Sequence, residues 1–224
     1  MILLFSGGID SYVAYYYLGE PQTLYFDIGS RYSLIEMTHI KKLIPDTIID
    51  STVHLGDTEQ GEKAYIPFRN LFLALKAVKY SDTIVIAGLK DDMVSDKNEQ
   101  IFKKFSDLMS EMEGREITVM SPFWDMTKYD VVKWYKDSVE ETGIKLLETI
   151  SCYSGDHSYC GECPACFRKW CVLKANDIPI SSFRNKELVK EYIASAESNK
   201  YDPQRNELIL IHAKNLLDLD PTSV

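Results

Sequence analysis

Two short stretches of this chain carry residue types whose spacing can do chemistry. In the first, Ser6-Gly7-Gly8-Ile9-Asp10-Ser11, adjacent glycines separate the apolar run Ile2-Leu3-Leu4-Phe5 from the apolar residues of 12–18. That order reads as a buried strand, a glycine turn and the start of a helix. Gly7 and Gly8 let backbone N–H groups turn inward at the helix N-terminus, where free amides and the dipole favour an anion such as a phosphate. Ser6 and Ser11 can add hydroxyl donors. Asp10 would repel a bare phosphate, so it either meets a Mg²⁺ ion that bridges carboxylate and phosphates, or caps the helix. A tight structural turn is the plain alternative. No Gly-Lys-Ser/Thr follows the glycines, so the loop is not a Walker A motif.

The second stretch gathers Cys152, Cys160, Cys163 and Cys166 as Cys-x7-Cys-x2-Cys-x2-Cys. Closely spaced thiolates around Gly161 can wrap a tetrahedral ion, and four sulfurs saturate Zn²⁺ with no position left for water. Such a site is structural. An iron–sulfur cluster is the rival, since Cys-x2-Cys-x2-Cys also begins a ferredoxin run, and four unrelated buried thiols are the bland reading. His157 lies inside the knuckle as a competing ligand. Cys171 reads as a packed helix residue.

Bulk properties narrow the function classes. The chain has 224 residues, 45% of them apolar, enough for one sizeable core. With 25 Lys and Arg against 34 Asp and Glu, the net charge is −9, which argues against an extended nucleic-acid surface. Met1 leads straight into a strand, with no basic leader and no apolar run near 18 residues. A soluble, cytoplasmic protein with no membrane segment is expected. Five Cys in such a chain point to metal or thiol chemistry rather than a disulfide framework.

The elements that must hold these stretches alternate along the chain. Strands are expected at 23–28, 47–49, 83–87 and 117–120 after the first. Helices are expected at 30–43, with Leu34, Met37, Ile40 and Leu43 on one face, at 71–78, whose Leu and Ala content suits burial, and at 100–112. Residues 51–65 read as a surface loop and 89–99 as irregular. Thr127-Lys128-Tyr129-Asp130 is a capping box for a helix to about residue 141. Helices at 187–196 and 207–217 follow, before a frayed Pro-Thr-Ser-Val end. The pattern implies an α/β fold with a doubly wound, parallel, five-stranded sheet. Ligands of that fold lie beyond the carboxyl ends of the strands, which places Asp27 and Gly88 beside the glycine loop as nucleotide-binding candidates. Two regions are expected, 1–145 for the α/β domain and 146–224 for the knuckle and C-terminal helices.

The string Ser-Gly-Gly-Ile-Asp-Ser resembles the pyrophosphate loop of the ATP pyrophosphatases, which split ATP between its α and β phosphates. With the knuckle, the chain resembles the 7-cyano-7-deazaguanine synthases of the queuosine pathway from Ile2 to about Leu173. Phe26-Asp27-Ile28-Gly29-Ser30-Arg31-Tyr32 with Glu36 is similar to the family's Asp-Tyr-Gly-Gln-Arg-His…Glu stretch. Pro67-Phe68-Arg69-Asn70 is similar to its Pro-x-Arg-Asn helix start, and Thr127-Lys128 to its Ser-Lys segment. Ser151-Cys152-Tyr153 and Cys160-Gly161-Glu162-Cys163-Pro164-Ala165-Cys166 resemble its zinc knuckle. The resemblance implies an adenine nucleotide α-hydrolase-like fold, ATP, Mg²⁺ and Zn²⁺ as cofactors, and conversion of 7-carboxy-7-deazaguanine with ammonia to the nitrile. It also implies a homodimer, for which the apolar helix at 71–78 and the C-terminal helices are candidate surfaces.

Residue chemistry is compatible with those roles. Lys128 and Asp10 are the catalytic candidates: Lys128 can neutralise charge on departing pyrophosphate, or be a solvated lysine in a first turn. Arg69 can pair bidentately with a carboxylate or phosphate. Asn70 offers an amide for a purine-like edge, or caps its helix. One stretch departs from the family: where an Asp-Tyr-Ser-Gly-Tyr-Pro-Asp-Cys-Arg substrate loop is usual, this chain has Asp91-Asp92-Met93-Val94-Ser95-Asp96-Lys97-Asn98. Asp92 is the substrate-binding candidate there. Ser30 likewise replaces the family's Gln. A variant reaction that stops at the amide, or joins the acid to another amine such as a protein group, is therefore the close alternative. A tRNA-thiolating pyrophosphatase, which would favour a basic RNA surface and bound iron, and a non-catalytic nucleotide-binding module, which would bind ATP without releasing AMP, complete the alternatives.

Overall fold

The computed structural model describes residues 1–61, 65–152 and 159–218. The chain forms two compact units, Met1–Asp125 and Met126–Val224. The division falls ahead of the capped helix at 128, which sequence reading had grouped with the sheet. No helix among the described residues is long and apolar enough to cross a membrane.

The first unit is built on five parallel strands, β1 (Ile2–Leu4), β2 (Gln22–Phe26), β3 (Ile48–Asp50), β4 (Thr83–Val85) and β5 (Thr118–Met120), in the order β3-β2-β1-β4-β5. The chain moves outward from β1 on one side, then crosses to β4 on the other, so the topological switch lies between β1 and β4. Crevices at such switch points, beyond the carboxyl ends of the strands, are where doubly wound sheets take ligands. Ile2, Leu3, Leu24, Ile84 and Val85 are fully buried, as expected for strands covered on both faces.

Helices α1 (Ile9–Tyr17), α2 (Ser33–Leu43), α3 (Arg69–Ala77) and α4 (Glu99–Glu113) complete this unit. α1 begins directly after Gly8 rather than at residue 12, because Gly8 is its N-cap. α4 is fixed at both ends, by the Asn98 side chain accepting from Ile101 N–H and by Gly114 in the left-handed region. Two burial expectations fail for one reason, which is that small or polar residues face inward. α2 buries Ile40 and turns Glu36 toward Tyr25, leaving Leu34 77% exposed. α3 buries Asn70, Ala74 and Ala77 against the core, so Phe72 and Leu75 face outward. Residues 56–58 form a short 3-10 turn within the expected loop.

The second unit holds α5 (Lys128–Ser138), α6 (Pro164–Ala175), α7 (Lys186–Glu197) and α8 (Pro203–Asp218), with a 3-10 turn at Ile144–Glu148. The capping box is formed as expected: Thr127 Oγ1 accepts from Asp130 N–H, and Asp130 Oδ2 accepts from Thr127 N–H. α5 ends three residues short of the expected 141, at Ser138. α8 starts at Pro203 rather than 207, since Pro suits a first helical position and Asp202 accepts from Gln204 N–H at 3.0 Å. Phe167, Trp170, Phe183, Val189, Ile193, Ile209 and Ala213 form its core together with Cys152, Cys166 and Cys171. The packed position of Cys171 is as expected. The terminal Pro-Thr-Ser-Val lies outside the described residues.

Candidate functional site

At the end of β1 the backbone does the work. Gly7 sits at φ 72°, a conformation costly for any residue with a Cβ, and Gly8 is extended at φ −78°. No side chain caps α1, and the first amides of a helix have no partner within the helix itself. Ser6 and Ser11 converge, their hydroxyls 3.3 Å apart, and Ser11 donates to Gly8 O at 3.1 Å. Ser6 is exposed, while Asp10 is half-buried in the first turn. The result is a glycine turn at a helix start, a geometry that could hold an anion, with the Asp10 carboxylate beside it.

Asp27 follows β2 at the same edge. Its N–H donates to Asp50 O at 2.9 Å, and its Oδ1 accepts from Gly29 N–H at 3.1 Å. Gly88, beyond β4, is explained by packing: a Cβ there would lie 2.4 Å from the Trp124 ring. Its N–H donates to Ser121 Oγ at 2.9 Å and its carbonyl accepts from the same hydroxyl at 2.7 Å, so both backbone groups are engaged within the protein.

Arg69 and Asn70 open α3. Arg69 is exposed and Asn70 only 6% exposed. The guanidinium acts on Glu36 of α2, whose carboxyl burial pushes up while the Tyr25 hydrogen bond and the Arg69 charge pull it back. Tyr25 Oη donates to Glu36 Oε2 at 2.7 Å, and burial beside that carboxylate drives the phenol pKa far up. This part-buried Tyr25–Glu36 pair lies within electrostatic reach of the cation that sequence reading singled out. Glu36 entered that reading only through resemblance, and Tyr25 looked like an ordinary strand residue.

Asp92 is taken up within its own loop. Its Oδ2 accepts from Leu89 N–H at 3.1 Å and from Lys97 Nζ at 2.9 Å. Met93 and Val94, next along the loop, are exposed at 61% and 47%. The loop that sequence reading gave to a substrate therefore exposes two apolar side chains beside its polar ones.

In the second unit the cysteines assemble. The Sγ atoms of Cys152, Cys160, Cys163 and Cys166 all lie within 4.8 Å of one another, and Cys160 Sγ is 3.8 Å from Cys166 Sγ. A tetrahedral zinc with Zn–S near 2.3 Å separates its sulfurs by roughly 3.8 Å. The residues fit a single Zn²⁺ ion. An iron–sulfur cluster would spread its thiolates wider, because iron and sulfide fill the middle. Backbone donors already face these sulfurs, Glu162 N–H on Cys160 and Cys166 N–H on Cys163, each at 3.4 Å. Cys163 is also the N-cap of α6, with Pro164 at the first position. His157 and Tyr153 lie outside the described residues.

Lys128 is the first residue of α5, half-buried. Sequence reading missed Lys169, which is only 2% exposed and donates to Leu147 O at 3.1 Å and Thr149 O at 2.6 Å. It thereby ties α6 to the segment that leads into Cys152. Burial pulls its pKa down to about 8; the neighbouring thiols oppose that shift and the charge of Lys128 adds to it. A charged pair, Arg168-Lys169, set between Phe167 and Trp170 was the signal that could have found it.

Comparison with known proteins gives this geometry a family. The family model described as Queuosine biosynthesis protein QueC matches residues 22–177. The chain is similar to the 7-cyano-7-deazaguanine synthase of Methanothermobacter thermautotrophicus, 26% identical over 206 residues that cover 75% of this chain and 91% of the relative. It is 22% identical over 225 residues to that of Methanobrevibacter smithii, covering 83% and 97%. With that of Rickettsia akari it shares 33% over 135 residues, covering 51% and 55%.

Proposed function

Because the chain belongs to the QueC family of queuosine biosynthesis proteins, we propose that it is an ATP-dependent C–N ligase making 7-cyano-7-deazaguanine from 7-carboxy-7-deazaguanine and ammonia. Relatives named 7-cyano-7-deazaguanine synthase support an enzyme of queuosine biosynthesis. The observation that carries the activation chemistry is the cradle at Gly7 and Gly8, at the switch point of the sheet.

The chemistry asked of the residues is specific. A carboxylate is a poor electrophile, so its oxygen attacks the α-phosphorus of ATP, forming an acyl adenylate and expelling pyrophosphate. The first-turn amides of α1, with Ser6 and Ser11, hold the pyrophosphate as charge develops on it. Mg²⁺, when bound, lowers the cost of that charge, and Asp10 is the carboxylate we assign to it. Arg69, backed by Glu36, pairs with the acid or with a phosphate, and Asn70 reads the base edge. Ammonia then displaces AMP to give the amide. The amide oxygen then attacks the α-phosphorus of a second ATP, expelling pyrophosphate, and loss of AMP together with the two N–H protons leaves the nitrile. Zinc, held by four cysteines, closes the knuckle and takes no part in the reaction.

A second reading is favoured by the loop at 91–98. Asp92 is held by Leu89 and Lys97, and no aromatic, proline or arginine stands in that loop to grip the base. The reaction would then stop at the amide, or pass the activated acyl group to another amine. Incubation with ATP, Mg²⁺, 7-carboxy-7-deazaguanine and ammonium, read by mass spectrometry, separates the two. Nitrile supports the first reading and amide the second, while an unchanged acid contradicts both.

A further inference from the structure

We propose that Lys169, buried in α6, is a positioning residue for the zinc knuckle: its ammonium fastens the segment that delivers Cys152 and offsets the negative charge of the metal-bound thiolates. The proposal rests on the reading of the four cysteines as a Zn²⁺ site. Two kinds of hold meet there. Cys160, Cys163 and Cys166 belong to one tight turn, whose own amides serve their sulfurs. Glu162 N–H donates to Cys160 and Cys166 N–H to Cys163, each at 3.4 Å, and Cys160 N–H donates to Cys166 at 3.3 Å. Cys152 arrives from a separate segment, and that segment is where Lys169 acts. Its Nζ donates to Leu147 O at 3.1 Å and to Thr149 O at 2.6 Å, just ahead of Cys152 in the chain. On α6 it follows Cys166 by three residues, about one helical turn. One side chain thus links the two segments that bring the ligands together, all within the unit Met126–Val224.

Why a lysine holds this place is a question of charge. Lys169 is only 2% exposed, and a buried ammonium is costly unless an opposite charge answers it. Two neutral carbonyls do not answer it, and a glutamine amide has two donors that could serve carbonyls with no charge at all. The opposite charge belongs to the knuckle. Thiols that bind a metal lose their protons, so four thiolates on one Zn²⁺ leave two negative charges unbalanced. Burial works against the charged form of Lys169, as does Lys128; Cys166 and Cys152, one ligand on each linked segment, work for it. Arg184 is a second cation, donating to Cys160 O at 2.8 Å and pairing with Glu162 at 3.1 Å, but its side chain is 67% exposed and water screens it. Lys169 is the cation that water does not screen. Groups that orient and tune metal ligands in this way typically change affinity about 10- to 100-fold when removed.

The test compares the full chain with Lys169→Met and Lys169→Arg, loaded with Zn²⁺ to measure affinity and with Co²⁺ to read the sulfur-to-metal charge-transfer band. Lys169→Met is expected to bind zinc about 10- to 100-fold more weakly in competition with a chromogenic chelator. In its Co²⁺ form the band should move to longer wavelength, because the cation that holds the thiolate electrons is gone. Lys169→Arg returns the charge and should keep the affinity and the band of the unaltered chain. Unchanged zinc affinity in Lys169→Met would overturn the proposal and leave the zinc reading intact. Weaker zinc with an unshifted band would overturn it too, as the mark of a lysine that only ties two carbonyls. If Lys169→Met fails to fold, Lys169→Arg decides: retained affinity and band support the charge, and a loss of either overturns it. An unaltered chain that takes up neither metal defeats the zinc reading itself, and the proposal with it.

Discussion

The glycine cradle and the cysteine knuckle meet their ligands in opposite ways. In the glycine turn the groups we propose for recognition are backbone amides: Gly7 permits the turn, and Gly8 caps without a side chain. In the knuckle the side chains are the ligands, drawn from Cys152 and from a turn that ends as the N-cap of α6. A backbone site should weaken by degrees under substitution. A side-chain metal site should fail outright.

Cys163→Ser tests the outright failure. It removes a ligand while leaving a hydroxyl acceptor at the N-cap of α6, so the effect reports on the metal. Structural zinc contributes on the order of 10 kcal/mol to folding in small domains, so zinc should be lost and the unit Met126–Val224 should unfold. Metal analysis and circular dichroism check this, and a folded, metal-free variant would erase the contrast. Gly88→Ala probes the other unit at a closely packed position. The added methyl would meet the Trp124 ring, and overpacking of that kind costs about 1–3 kcal/mol. A lower midpoint in urea unfolding is expected.

Gly7→Ala should act on binding more than on folding. A positive φ costs a residue with a Cβ about 1–2 kcal/mol, so KM for ATP should rise about tenfold with the knuckle's zinc untouched. The smallest effect concerns pH. Burial alone would raise the Asp50 carboxyl, but bonds from the Thr52 hydroxyl, the Tyr80 hydroxyl and Thr52 N–H outweigh it and hold the pKa down to about 2. Its folded-state value lies below its unfolded one, so its contribution is complete above about pH 4 and is lost as pH falls toward 2. Asp50→Asn should flatten that acid limb of the urea midpoint, measured from pH 5 to 2, and leave the neutral value lower.

The same contrast explains what could be read from residues alone. Glycine pairs, apolar runs and capping residues act locally, so the strand–turn–helix order, the five parallel strands and the Thr127–Asp130 box were legible. Clustered cysteines were legible for the same reason. Long-range contacts were not: Gly88 owes its identity to Trp124, Tyr25 serves Glu36, and Lys169 reaches back to Leu147 and Thr149. Helix faces misled where small residues packed inward, as at Ala74 and Ala77, leaving Phe72 outside. A capping box marks a helix start and says nothing of which core that helix joins, so the α5 box alone could not assign its helix to a unit.

The central claim is that the cradle activates an acid by splitting ATP between its α and β phosphates. Its most direct test is to follow the nucleotide products by chromatography with Mg²⁺ and ATP, with and without 7-carboxy-7-deazaguanine and ammonium. AMP and pyrophosphate appearing only when the acid is present is the predicted result. ADP and phosphate, or AMP release indifferent to the acid, would contradict it.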